Sequence, residues 1–181
     1  RPKGVEVHHQ GVVNFLKSML RKPGFSIEDK LLAVTTLSFD ISVLEVFLPL
    51  SAGAQVVIAG SEDIIDGTML SRLINKHGIT VMQATPATWN LLIAEGWDGN
   101  KNLKALCGGE AMPVTLIREL LPRVKELWNM YGPTETTVWS TCYCITDAEA
   151  PIVVGKPIDN TTIHIIDRHN KYLPAGVTGE V

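Results

Sequence analysis

The run Trp128-Asn129-Met130-Tyr131-Gly132-Pro133-Thr134-Glu135-Thr136-Thr137 joins an apolar segment to a turn dense in hydroxyls with a single carboxylate. Those groups suit a nucleotide and its metal. Tyr131 has a flat face on which a base can stack, the Asn129 amide can read a purine edge, and Glu135 carries the hard oxygen that Mg²⁺ prefers. The hydroxyls of Thr134, Thr136 and Thr137 can donate to phosphate oxygens. Gly-Pro-Thr-Glu by itself equally describes a strand ending in a tight turn whose threonines cap the next element, so its surroundings decide.

Those surroundings are globular. The 181 residues are 45% apolar, enough for one core, and 16 basic against 19 acidic residues leave a net charge of −3. No Lys/Arg run tracks a phosphate backbone, so nucleic acid is not an expected partner. No stretch of about 18 apolar residues is present, and no membrane association is expected. Three cysteines argue against a disulfide framework and for a reducing, cytoplasmic compartment. Cys142 and Cys144 share a face of a predicted strand, but nothing at suitable spacing completes a zinc site, which leaves them as small packing residues. The start at Arg1-Pro2-Lys3-Gly4 and the stop at Thr178-Gly179-Glu180-Val181 read as cuts through a longer domain.

The elements that must position the chemistry alternate. Helical spacing covers His9 to Arg21, ended by Pro23-Gly24, and Leu31 to Ser38 is a short apolar run that predicts a buried strand. Asp40 to Leu50 predicts a helix and Gln55 to Ala59 a strand, and Leu70, Leu73, Ile74 and His77 form one face of a helix stopped by Gly78. Strand Thr80–Ala84, helix Ala87–Glu95, strand Leu103–Cys107, helix Pro113–Leu121 and strand Glu126–Tyr131 continue the rhythm. That order predicts a layered α/β domain with a largely parallel sheet. Val138–Ile145 and Thr162–Asp167 read as strands without intervening helices, so after about residue 132 the sheet becomes mixed or a second sheet begins. Asp40, Gln83, Gly108, Gly109 and the Tyr131 turn all follow strand ends, where ligands of open α/β sheets bind, and one crevice is expected to hold them.

Four ordered segments then resemble the adenylate-forming enzymes, and among them the amino-acid-activating adenylation (AMP-binding) domains of nonribosomal peptide synthetases. Arg1-Pro2-Lys3-Gly4-Val5 resembles the tail of the family's phosphate loop, and Phe39-Asp40-Ile41-Ser42 its Phe-Asp-x-Ser motif. Asn129 to Glu135 resembles Asn-x-Tyr-Gly-Pro-Thr-Glu, and Thr178-Gly179-Glu180 a later Gly-Glu motif. The resemblance implies that residues 1–181 are an internal piece of the large N-terminal domain of such an enzyme. It implies a ligase that joins a carboxylate to the α-phosphate of ATP with Mg²⁺ and passes the acyl group to the phosphopantetheine thiol of a peptidyl-carrier domain, with condensation domains nearby. By the same resemblance Tyr131 stacks on adenine, Asn129 binds its amino edge, and Gly108, Gly109 and Gly132 belong to the nucleotide site. Thr134 and Glu135 are the catalytic pair, at the α-phosphate and at Mg²⁺, and Lys3 belongs to the phosphate loop. The family's ribose-binding Asp, hinge and C-terminal Lys fall on none of these residues, so this piece alone is expected to be inactive.

The resemblance also makes Asp40 the partner of the substrate's α-ammonium, whereas its place before Ile41 equally permits a helix N-cap. The remaining lining positions fall on Ile41, Leu44, Gln83, Leu106, Gly108, Met130, Val138 and Trp139. Apart from Asp40 and Gln83 that lining has no strong polar group, and Trp139 and Met130 are large, which favours glycine with alanine next. Leu44, Leu106, Val138 and Met130 would equally serve as ordinary core. Two rival functions remain: an acyl- or aryl-CoA synthetase of the same fold, against which Asp40 argues because an acid without an amine leaves its charge unpaired, and a non-catalytic nucleotide-binding module. The lone histidines His77, His164 and His169, the adjacent pair His8 and His9, and Trp89 and Trp97 are expected to be structural or solvated.

Overall fold

A computed structural model describes residues 4–181. Its strands are β1 (Lys30–Ala33), β2 (Gln55–Ile58), β3 (Val81–Ala84), β4 (Asn100–Gly108), β5 (Val124–Tyr131), β6 (Thr141–Ile145) and β7 (Lys156–Pro157). They form one sheet in the order β2-β1-β3-β4-β5-β6-β7. The strands from β2 to β5 pair in parallel, and β6 and β7 are added antiparallel. The change expected near residue 132 is therefore a mixed edge on the same sheet. The chain reverses at the Gly132-Pro133 turn, and a short reversal can return only an antiparallel strand, because a parallel one needs a long crossover.

Helices α1 (His9–Met19) and α2 (Ser42–Ala52) cover one face of the sheet, and α3 (Gly67–His77), α4 (Pro86–Ala94) and α5 (Val114–Leu120) cover the other. Several helices carry local signals for their limits. Asp66 caps α3 by accepting from the Met69 N–H at 3.0 Å, and Gly78 ends it in the left-handed region. Pro86 opens α4 where its missing N–H costs nothing, and Gly53 closes α2. Strand side chains alternate between two cores. Leu31, Ala33, Val81 and Leu106 join Phe15, Met19, Leu44 and Leu48 under α1 and α2, while Leu32, Met82, Ala105 and Leu127 join Leu70, Ile74, Trp89 and Leu120. Trp89 and Trp97 are core residues with ring centroids 6.2 Å apart, and Cys142 packs in the α1/α2 core with Cys144 half-buried against it. Burial pushes the Cys107 thiol up to about 12, which makes it inert.

Three predicted strands are shorter than expected or absent. β1 stops at Ala33 because the next two backbone N–H groups, of Val34 and Thr35, donate to the Glu45 carboxylate. The segment Val138–Ile145 begins as strand only at Thr141, since Thr137 and Val138 hold positive φ of 70° and 65°. Thr162–Asp167 makes only isolated bridges from Ile166 to Tyr172 and Glu180. That segment is half exposed and half intermediate in burial, and it meets no sheet edge long enough to extend its pairing.

Replacing Asp66 by Ala is expected to cost about 1 kcal/mol through loss of the α3 cap. A denaturant titration reads this as a lowered midpoint with an unchanged slope.

Candidate functional site

β4 and β5 end side by side, with Cys107 opposite Asn129 and Gly108 opposite Met130. Beyond these ends lies a cleft of about 570 Å³ lined by Gly109 to Met112, Asn129 to Pro133, Trp139 and Ile152 to Val154. Its far wall is an extended segment tied down from the sheet. Asn129 Nδ2 donates to the Val153 carbonyl at 2.9 Å and Thr141 Oγ1 to the Val154 carbonyl at 2.6 Å. One hydrogen of its NH₂ is thus engaged, and its Oδ1 is the amide's acceptor. Among the described residues no donor meets this oxygen, which leaves it able to accept from an exocyclic amine. Tyr131 remains 41% exposed, so the last ring of β5 has a free face in this cleft. An amide acceptor beside a free aromatic face fits a purine base.

The turn after Tyr131 is tightly built. A Cβ on Gly132 would lie 2.6 Å from both the Ser140 nitrogen and the Val138 oxygen, so only glycine fits where the chain folds back. Thr134–Thr136 form one 3-10 turn, and Thr136 Oγ1 is consumed inside it by the Pro133 carbonyl at 3.0 Å and by Ser140 Oγ. Thr137 Oγ1 packs against Gly11. Of the three hydroxyls expected at phosphate, Thr136 alone is taken up by hydrogen bonds, and those of Thr134 and Thr137 have no hydrogen-bond partner among the described residues. The positive φ angles of Thr137 and Val138, costly for β-branched side chains, aim Trp139 back at the sheet.

Glu135 does not share the cleft of Tyr131. It is exposed and lines a second hollow of about 480 Å³ with Glu6, His8, Asn14, Thr136 and Thr137, so one crevice does not hold every nucleotide residue. Thr134 lines neither hollow and stands between the two sets. The Glu135 carboxylate beside hydroxyls, with Glu6 also lining the hollow, fits Mg²⁺ held mainly by phosphate oxygens and water. Among the described residues no cluster of three or more His, Cys, Asp or Glu forms an all-protein metal cage. Lys3 lies outside the described residues.

Six of the residues expected to line a side-chain pocket are packed as core. Ile41, Leu44, Leu106, Met130, Val138 and Trp139 are buried in one cluster on the α1/α2 face, and Met130 and Trp139 also face the 570 Å³ cleft. Gly108 lies beneath the indole: a Cβ there would meet Trp139 Cη2 at 2.6 Å and the Met130 oxygen at 2.6 Å. Its missing side chain therefore makes room for Trp139, whereas Gly109, with φ of 88°, is the glycine that lines the cleft. Asp40 is half-buried and is not the α2 cap. The helix begins after Ile41 with no side-chain cap bond, and the Asp40 carboxylate has no hydrogen bond or ion pair among the described residues. Its neighbours place it: the Phe39 ring lies 3.8 Å from where a Gly109 Cβ would stand, and the Ile41 carbonyl accepts from Gln83 Nε2 at 2.9 Å.

Gln83 is fully buried, and it is occupied by the protein. Its Nε2 also donates to Glu45 Oε1 at 3.1 Å, and its Oε1 accepts from Trp139 Nε1 at 2.8 Å. Glu45, which the motif reading passes over, is equally buried and accepts in addition from Val34 N, Thr35 N and Thr35 Oγ1 at 2.9, 2.9 and 2.6 Å. The signal was present in helical spacing: Ile41, Leu44, Glu45 and Leu48 form one stripe, so the acid had to be buried with the leucines.

This chain's whole length, residues 1–181, matches the family model described as AMP-binding enzyme. The chain belongs to the AMP-binding enzyme family. Its relatives include the dimodular nonribosomal peptide synthase of Bacillus subtilis (strain 168), 43% identical over 100% of this chain and 8% of the relative. Tyrocidine synthase 3 of Brevibacillus parabrevis is 37% identical over 99% of this chain and 3% of its own length. Among solved structures, a holo four-domain nonribosomal peptide synthetase bound to AMP and glycine superposes with a TM-score of 0.94. It is 47% identical and covers 98% of this chain and 14% of its own. The chain thus spans a small part of the AMP-binding proteins it matches.

Burial raises the Glu45 carboxyl above its ordinary value, against the opposing pull of its Thr35, Gln83 and Val34 hydrogen bonds. A raised carboxyl favours the folded state most below the unfolded value, and that contribution fades as pH rises through the folded one. Measured from pH 4.5 upward, the stability of the unaltered protein should therefore fall relative to Glu45→Gln, as read by denaturant midpoints at each pH.

Proposed function

We propose that residues 1–181 are part of an adenylation domain that activates a small amino acid, glycine first and alanine next, as its aminoacyl-adenylate. The acyl group then passes to the phosphopantetheine thiol of a peptidyl-carrier domain in a cytoplasmic assembly line that also holds condensation domains. The observation that carries this reading is the half-buried Asp40 carboxylate, which has no partner among the described residues and lies between Phe39, which packs over Gly109, and Ile41, which is tied to the Trp139 wall. An α-ammonium is the complement such a carboxylate lacks, and a charge-assisted hydrogen bond there selects amino acids from plain acids. The rival acyl- or aryl-CoA synthetase would leave that charge unmatched.

In the reaction so assigned, the amino acid carboxylate attacks the α-phosphorus of ATP, a new P–O bond forms, and the bond to pyrophosphate breaks. These residues supply placement and charge control. Asn129 Oδ1 and the Tyr131 ring hold the base, Thr134 donates toward the α-phosphate, and Asp40 fixes the amine so that the carboxylate points at phosphorus. Glu135 would hold Mg²⁺, which when bound neutralises charge on the phosphate oxygens. Small side chains are favoured because Met130 and Trp139, both large and buried, stand between the α1/α2 core and the cleft they line. The structure bound to AMP and glycine, at 47% identity, supports the same reading.

ATP–pyrophosphate exchange over a panel of carboxylic acids, with the full-length protein carrying these residues, tests it. Glycine-dependent exchange is expected, and exchange with fatty or aryl acids only, or with none, removes the proposal. Asp40→Ala should abolish amino-acid-dependent exchange; unaltered exchange would sink the ammonium assignment. Trp139→Ala should admit larger side chains, and an unchanged substrate range would count against the indole as the wall.

A further inference from the structure

One buried carboxylate is not used by the activation step. Glu45 receives four donors, from Val34 N, Thr35 N, Thr35 Oγ1 and Gln83 Nε2, and no part of it reaches solvent. The Gln83 amide next to it has one permitted orientation. Both of its hydrogens point at acceptors, Glu45 Oε1 and the Ile41 carbonyl, so its oxygen must face the Trp139 N–H. The opposite rim of the indole rests on the bare backbone of Gly108. Trp139 is thus fixed at its N–H by a hydrogen-bond chain that begins at Glu45, and at its far edge by contact.

We propose that Glu45 is a positioning residue for side-chain specificity: it holds the Gln83 amide in the orientation that pins Trp139, and so sets the depth of the cavity entered by the α-amino acid's side chain. Gln83 is the clamp in this arrangement and has no amide hydrogen left for substrate. The inference rests on the adenylation reading above and adds to it a residue that does not touch the substrate.

Donor and acceptor parity makes the claim testable. Glu45→Gln keeps the volume, and its amide oxygen can still take the Val34 and Thr35 N–H groups while its NH₂ faces the Thr35 hydroxyl. It then presents a donor to the Gln83 donor. Gln83 escapes that conflict only by turning over, which sets its NH₂ against the indole N–H. Two donors facing each other in a dry interior are costly, so the indole must shift. Gln83→Met removes the clamp outright at similar size, while Glu45 keeps three of its four donors.

The test is ATP–pyrophosphate exchange by the full-length protein with glycine, alanine, serine and valine. Both Glu45→Gln and Gln83→Met are expected to reduce the preference in kcat/KM for the smallest accepted amino acid over larger ones by about tenfold. The change should appear in the amino acid KM, with the KM for ATP unmoved. In a Trp139→Phe background, where the ring has no N–H to pin, Glu45→Gln should add nothing further to the preference. An unchanged preference in Gln83→Met overturns the proposal, whether or not Glu45→Gln can be purified. So does an equal shift in the Trp139→Phe background, or a uniform loss of exchange with every amino acid and of ATP affinity, which marks a structural role only. Absence of exchange by the unaltered protein with any amino acid would instead remove the adenylation reading itself.

Discussion

The burial of a carboxylate under α2 constrains the candidate site more than any other interaction in this chain. A Glu on the apolar stripe of a helix must find donors in the interior, because an unpaired buried charge is far costlier than an unpaired exposed one. Glu45 finds them by ending β1 early. The backbone of Val34 and Thr35 leaves the sheet to donate to it, and the chain then turns through Phe39 and Asp40 into α2. The same carboxylate orients Gln83 from the neighbouring strand, and Gln83 in turn receives Trp139 from the far side of the Gly132 turn. Three segments distant in sequence are joined through the Glu45 carboxylate and the Gln83 amide.

A second constraint is steric. The return of the chain after β5 needs a glycine at 132, and it forces two β-branched residues, Thr137 and Val138, into a backbone region they normally avoid. Such strain persists only where surrounding contacts fix it, and here the contacts are those of Trp139 with Gly108 and Gln83. The strained turn and the polar chain therefore support each other. Their common product is an indole at the boundary between the packed α1/α2 core and the open cleft.

The split of the nucleotide residues between two hollows follows from the same turn. Asn129 and Tyr131 are on the strand side of Gly132 and face the cleft walled by Ile152 to Val154, whereas Glu135 is on the far side and faces the N-terminal end of α1. A ligand with a base at one end and a charged chain at the other would match that separation. Thr134, between them, is the residue through which both ends of such a ligand would be linked.

Much of this was legible in the residues themselves. Alternating helix and strand patterns, the stop at Gly78, the parallel sheet and the Asn129-to-Glu135 motif are local, set by periodicity and turn chemistry within a few residues. The burial of Glu45 was also written in helical spacing, although its partners were not. Tertiary structure alone decided that Gln83 is consumed by Glu45, Ile41 and Trp139, that Gly108 makes room for an indole, that Asp40 does not cap α2, and that Thr162–Asp167 finds no sheet edge. In each case the deciding partner is many residues away. A side chain's hydrogen-bond capacity is fixed by its chemistry, but which group satisfies it is fixed only when distant segments meet.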